Sequence, residues 1–434
     1  MIDLEGIPTW NGRGSDVSAI LTEISSRGCA VVHPEQPLVT LDRFLATVVL
    51  SLFLAETASA AQEYKVLYSF TGGTDGALPA ADLTSDDEGN LYGTTVGGGT
   101  STNCDGGCGT VFKLIRYSND TWQETILYSF QGGNDGMYPY SGVIRDTKGN
   151  LYGSTSQGGA GGSCIYGDGC GTIFKLAVSA RGYTKDILYN FTGGTDGAGP
   201  GELALDGSNN LYGTTSDGGK LTACDGIGCG VVFELLRGSG GHWTQKVVHT
   251  FSGGRDGARG SLGRLFLDRS GNLLGLAEAG GNLNCPNFPT GCGVAFELSG
   301  LSGGRGKFTV IHRFYGPPGA RFPYGGLISQ TNGHLYGTTL FGGSSDQGAV
   351  FELAPSPGGY KETVLYSFEG VSDGANPTCT LAFDGTGDLL GTASMGGDTD
   401  LGVVFKLTLD MEQWKEAAIH SFGPPLMERT QATD

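Results

Sequence analysis

Seven copies of one short motif constrain this chain more than any other feature. Val66-Leu67-Tyr68-Ser69-Phe70 returns as ILYSF at 126–130, ILYNF at 187–191, VVHTF at 247–251, VIHRF at 310–314, VLYSF at 364–368 and AIHSF at 418–422. The closing Phe steps by 60, 61, 60, 63, 54 and 54 residues. Between the copies run six GNLYGTT-like segments, beginning at Asn90, Asn150, Asn210, Asn272, His334 and Asp388. Six VFKL-like segments follow them, ending at Leu114, Leu176, Leu235, Leu298, Leu353 and Leu407. A fixed period of this size marks an array in which each unit covers its neighbour's apolar face.

Each unit reads as four short strands. The first is apolar and ends at an Asp, as in ADLTSD (81–86), GELALD (201–206) and TLAFD (380–384). A tight turn with Gly-Asn or its relatives follows. LYGTT, GTVFKL and the β-branched or aromatic VLYSF supply the second, third and fourth strands. Four strands per unit, six times over, predict an all-β propeller of six four-stranded blades across residues 64–422. A solenoid would need atypical capping units, and none is present. The surplus copy at 66–70 suits a ring in which residues 65–70 pair beside the last unit; a seventh, partial blade is the competing count. The 79 Gly among 434 residues argue against an all-helical chain, and no three-residue Gly period marks a collagen.

The tandem order GG-x-DG-x-x-P, DG-x-GNLYGTT, GTVFKL, VLYSF resembles the GloVer-type tandem repeat of exported bacterial proteins known as choice-of-anchor repeat proteins. The resemblance covers about 64–422. It implies no biochemical activity. Members differ in a C-terminal surface anchor, and GPPLMERTQATD (423–434) contains no apolar tail or sorting signal, so it reads as a flexible tail.

Export is also expected from the amino terminus. Arg43, the apolar run FLATVVLSLFLA (44–55) and Ala58-Ser59-Ala60 come in the order of a signal peptide, placed at 43–60. The run is too short for a stable membrane span, so no transmembrane segment is expected in the mature protein. Residues 1–42 read as a spurious or disordered extension, with translation starting near Val39 or Leu41. The expected location is secreted, cell-surface or periplasmic. A net charge of −18 repels phosphate and excludes nucleic acid as a partner.

Eight of the ten cysteines fall in pairs: Cys104/Cys108, Cys164/Cys170, Cys224/Cys229 and Cys285/Cys292. Each pair lies between LYGTT and GTVFKL, and the units without a pair are the two short ones. Zinc needs about four ligands in fixed geometry. Two thiols per loop at separations of 4, 6, 5 and 7 fit local disulfides instead, each stabilising by about 1–3 kcal/mol. Their expected purpose is to stiffen a Gly-rich hairpin tip that cannot pack itself. Cys379 is expected to be free.

In an antiparallel four-stranded blade the cysteine loops and the GG-x-DG loops emerge on one face. The GG-x-DG loops place Asp75, Asp135, Asp196, Asp256 and Asp373 in equivalent positions, and Tyr315-Gly316-Pro317-Pro318 breaks the series. These carboxylates either ring the central channel, where they could bind a polar ligand or Ca²⁺, or cap their own turns. Asp86, Asp146, Asp206, Asp268 and Asp384 face the same alternatives at the other turn. Trp122, Tyr183, Trp243, Phe308, Tyr360 and Trp414 open the fourth strands and are read as blade-flank packing rather than as sugar platforms. His249, His312 and His420 take the Tyr slot of YSF; His242 and His334 have no partner spacing. No Gly-x-Ser-x-Gly elbow, HExxH or phosphate loop occurs. The expected function is a binding or scaffold module without turnover or cofactor, directed at an extracellular glycan or protein. The alternative is a carbohydrate-active hydrolase or lyase using the central channel.

Overall fold

The computed structural model describes residues 64–423 except 163, 165–168, 239, 262, 302–305, 331 and 412. The expected extension, the signal peptide and all but the first residue of the tail lie outside the described residues. Six antiparallel sheets follow one another along the chain as six propeller blades, each built around four strands in sequence order. Blade 1 consists of Thr84–Ser85, Leu91–Thr95, Thr110–Arg116 and Trp122–Ser129. Blade 6 consists of Ala382–Phe383, Leu389–Met395, Val403–Asp410 and Gln413–Ser421. Helix is limited, among the described residues, to three-residue 3-10 turns such as Gly133–Asp135.

From the second strand of blade 1 outwards burial falls. In blade 1 every residue of LYGTT is buried, the third strand is buried over its first half, and the outer strand is half-buried. Phe112 explains the Gly of LYGTT. It pairs across the ladder with Gly93, and a Cβ on Gly93 would lie 2.6 Å from its ring. The same slot holds Phe174 over Gly153 and Phe405 over Gly391. Each such ring then meets the closing Phe of the preceding motif: Phe70 on Phe112, Phe130 on Phe174, Phe191 on Phe233 and Phe368 on Phe405, at 4.9 to 5.2 Å between centroids. Edge-on aromatic contacts of this kind add to the area they bury.

A bulge recurs in every blade between the third and outer strands, as at Val111/Phe112 and Val404/Phe405. One extra residue in the outer strand turns the following Tyr or His toward the loop beyond. That re-aiming places the rim contacts described below.

The surplus motif settles the blade count. Residues 64–70 form no strand, so the expected ladder at 65–70 is absent. Yet Tyr64 stacks on His420 of the last strand at 3.6 Å, as Phe308 stacks on His249 between blades 3 and 4. Leu67, Tyr68 and Phe70 pack on blade 1. The segment fills the rim between blades 6 and 1 without adding a blade.

Four disulfides join the paired cysteines as their spacing predicts: Cys104 to Cys108, Cys164 to Cys170, Cys224 to Cys229 and Cys285 to Cys292. Their place differs from the expected hairpin tip. Cys108, Cys170, Cys229 and Cys292, the second members, are buried. Cys170 packs in one apolar cluster with Phe191 and Ala198, and Cys292 in another with Phe314 and Ala320. The reason is that each second cysteine directly precedes the Gly that opens the third strand, at the base of the loop, where the next blade closes over it. The bond therefore ties the extension down to a packed floor. Cys379 also departs from expectation: it is disulfide-bonded, with its partner outside the described residues.

Candidate functional site

The five GG-x-DG aspartates lie at the outer seams between blades. Asp135 accepts hydrogen bonds from the Gln131 backbone N–H (2.8 Å) and from Tyr128 Oη (2.8 Å). Asp75, Asp196 and Asp373 accept the equivalent amides of Thr71, Thr192 and Glu369 and the hydroxyls of Tyr68, Tyr189 and Tyr366. Asp256 meets the Ser252 amide and His249 Nε2. The bonds from Thr71 hold the Asp75 carboxyl below its ordinary range. The next blade covers each loop with the residue four before its Tyr or His. Lys185 Nζ reaches Asp135 Oδ1 at 2.7 Å, and Gln245 Nε2 the Asp196 carbonyl at 3.2 Å. Glu124 and Glu416 come over Asp75 and Asp373; burial, helped by those aspartates, raises each glutamate to about 7. Where Tyr315-Gly316-Pro317-Pro318 breaks the series, Glu362 stands in, accepting the Ala320 amide (2.8 Å) and meeting His312 Nε2 (2.9 Å).

On the opposite face Asp86, Asp146, Asp206 and Asp268 each accept amides two and four residues on, as Asp86 does from Glu88 and Asn90. Asp384 accepts those of Thr386 and Asp388, and Lys406 sits on it at 2.8 Å. Among the described residues no three His, Cys, Asp or Glu side chains converge as metal ligands would.

The cysteine loops share one neck in all six blades. Gly109 donates to the Gly98 carbonyl at 3.1 Å, and Gly171, Gly230, Gly293, Gly348 and Gly402 repeat the bond to Gly158, Gly218, Gly280, Gly342 and Gly396. Both neck positions have positive φ, 73° at Gly98 and 93° at Gly109, which only Gly adopts without strain. Above the neck, blades 1–4 carry the disulfide-bonded extension. The sulfurs rest on the first Gly of the next GG-x-DG loop: a Cβ at Gly132 would lie 2.9 Å from Cys104 Sγ, and one at Gly193 2.4 Å from Cys164 Sγ. The carbonyl of the second cysteine accepts a hydrogen bond from the next blade in all four cases: Cys108 from Tyr138, Cys170 from Gly199, Cys229 from Arg259 and Cys292 from Phe322, at 2.7 to 3.1 Å. These four cysteines thus belong to the blade seams and offer no surface to a ligand. Leu221 and Leu283, ahead of the first cysteines of blades 3 and 4, stand in solvent.

The axis is lined by the residue preceding the first-strand Leu or Val in each blade: Asp82, Gly142, Glu202, Arg264, Gly326 and Thr380. Closeness is plain at the glycines. A Cβ on Gly142 would sit 2.5 Å from the Asp82 carbonyl, and one on Gly263 2.4 Å from the Gly326 nitrogen. Glu202 is buried, accepts the Gly142 amide at 3.1 Å, and lies 3.7 Å from Arg264 Nε. Thr380 hydrogen-bonds the Asp82 carboxyl. Burial raises Glu202 to about 7, the Asp82 charge adding to it and Arg264 opposing; burial raises Asp82 as well. The Gly326 amide donates to Thr380 Oγ1 at 2.9 Å, so this tier joins all six blades across the centre. Sequence inspection passed over it because the residue type changes in every unit.

A second tier brings together Asp217, Arg259, Glu278, Tyr324 and Tyr140. Burial raises Glu278 to about 8 against the pull of Arg259, with Asp217 adding to the rise. Asp217 is raised by burial despite its bond from Ser216. Burial raises Tyr324 too, with Glu278 and Tyr140 contributing.

The repeat profile described as the Gloeobacter/Verrucomicrobia repeat matches residues 53–222, 100–299 and 284–427. The chain belongs to that repeat family. No curated protein is similar to it. Among solved structures, a candidate 6-phosphogluconolactonase from Bacteroides fragilis is 13% identical, with 77% of this chain and 82% of that one covered and a TM-score of 0.38. PorZ, a surface component of the type-IX secretion system of Porphyromonas gingivalis, is also 13% identical, with a TM-score of 0.46. That match covers 77% of this chain and 41% of PorZ. Likenesses this distant carry no functional argument for the Gloeobacter/Verrucomicrobia repeat. Four disulfides suit an oxidising compartment. No helix among the described residues is long and apolar enough to cross a membrane.

Proposed function

We propose that the protein is an exported binding module that receives an extracellular glycan or protein on the face carrying the stapled loops. The observation that carries this reading is the shared neck. Blades 5 and 6 close the same neck with short loops, and the blade 5 loop still bonds the next blade through Gln347, so the extensions of blades 1–4 are surplus to the fold. Loop material that the scaffold does not need is where recognition is usually built. A staple anchored on a buried cysteine lowers the entropy lost when a partner orders the loop. The test replaces the four extensions by the short loop of blade 6 and compares trimmed and parent proteins on a glycan array and in crosslinking to the producing cell's surface. A folded, trimmed protein that keeps every interaction of the parent would end this reading.

Half-buried Asp82 and buried Glu202, two carboxyls both raised by burial, favour a second reading, acid–base chemistry on a glycoside at the axis. Both carboxyls are engaged in holding blades together, which weighs against it. Turnover of aryl glycosides by the parent, abolished in Glu202→Gln with folding intact, would reverse that judgement.

A further inference from the structure

We propose that the second axial tier is a separate site for an uncharged, hydroxyl-bearing small molecule of the kind a sugar ring or polyol presents. The residues that build it are departures from the repeat. Where blade 4 has Glu278, the other blades have Val96, Ser156, Ser216, Leu340 and Ser394. Where it has Arg259, they have Leu78, Tyr138, Gly199, Phe322 and Asn376. The propeller closes with uncharged residues at these places, so a buried acid and a guanidinium are not demanded by the architecture. Blade 3 adds Asp217, where its neighbours have Gln157 and Ala279.

The tier also holds an unmet hydrogen-bonding group. Tyr324 is 6% exposed, and its hydroxyl has no partner among the described residues. Glu278, 4% exposed, and Tyr140 from the opposite side of the ring are the ionisable neighbours that add to the rise burial gives it. Buried hydroxyls are nearly always paired, and an orphan is costly to the fold. Asp217, Arg259 and Tyr140 are only part-buried, whereas Glu278 and Tyr324 are buried. One guanidinium stands among two carboxyls. Burial already presses both acids toward their neutral forms, so a charged ligand would have to shed its water without a full counter-charge to meet it. A hydroxyl donates to a carboxyl oxygen and accepts from a guanidinium or a tyrosine at once, without bringing net charge into a buried place.

The test is calorimetric titration of the full chain with four neutral probes, D-glucose, D-galactose, N-acetyl-D-glucosamine and myo-inositol, and two charged ones, D-glucuronate and D-glucosamine. At least one neutral probe should saturate the protein. Tyr324→Phe should weaken it about tenfold, the scale of one lost hydrogen bond, while the thermal midpoint stays level or rises because the orphan hydroxyl is gone. The loop-trimmed protein should bind the same probe unchanged, which separates this site from the top-face partner. Saturation by no neutral probe, tighter binding of a charged one, or equal affinity in Tyr324→Phe would overturn the proposal.

Discussion

The loops of blades 1–4 and those of blades 5 and 6 solve one problem by different chemistry. In the first group a disulfide closes the extension. In the second a single aspartate does it: Asp346 Oδ1 accepts the Gly342 amide at 2.9 Å, and Asp400 Oδ1 the Gly396 amide at 2.8 Å. Both aspartates have positive φ, 58° and 57°. In blade 5 the bond to the next blade survives the exchange, since the Gln347 carbonyl takes the Asn376 amide at 2.7 Å where cysteine carbonyls serve in blades 1–4. The backbone neck, not the cap, is what the ring requires. The cap is free to differ in size, and so in surface.

The seam between blades 4 and 5 is where the two kinds of loop meet. Arg321, 2% exposed, forms a two-point ion pair with Asp346, with Nε 2.7 Å from Oδ1. It also donates to the Pro286 carbonyl at 2.6 Å and lies over the Phe288 ring at 4.2 Å, both in the disulfide loop of blade 4. Asp346→Ala should therefore have the largest effect of any loop change. It removes the cap and leaves a buried guanidinium without its counter-charge, a loss of about 3 kcal/mol in denaturant unfolding. A loss no greater than that of Asp400→Ala would show that the seam does not depend on the pair.

The paired substitution Cys224→Ser/Cys229→Ser should come next, at about 2 kcal/mol for so small a ring. Its effect should be confined to the extension. Hydrogen exchange at the Arg259 amide, which is bonded to the Cys229 carbonyl, should stay slow. Fast exchange there would mean that the staple, and not the neck, holds the blades together.

Asp400→Ala should be the mildest, about 1 kcal/mol for one hydrogen bond to a charged acceptor at a part-exposed turn. Asp400→Asn should restore most of it, because Asn keeps an acceptor oxygen and tolerates positive φ. If Asn is no better than Ala, the carboxylate charge rather than the cap geometry is what counts.

The chain's period, its four strands per unit and its paired cysteines were legible without coordinates, because each is local. The LYGTT and VFKL segments carry their own pairing partner a short turn away, and Cys104 needs only Cys108. The burial of Cys170 and Cys292 was not legible, because the blade that covers each of them comes later in the chain. Aspartates at repeated turns were legible as a set, but not their seats: the bulge that aims Tyr128 at Asp135, and the Lys185 that covers it from the next blade, arise only when blades pack. The axial residues lay deeper still. Asp82, Glu202 and Arg264 stand in different units and differ in type, so no period marks them. Closing the ring makes them neighbours. The same holds for Glu362, which replaces a missing loop aspartate from another strand, and for Arg321. Local sequence fixes what repeats, because every unit must cover the next. Tertiary structure alone decides what the exceptions do, because only a closed ring brings equivalent positions of separate units within reach of one another.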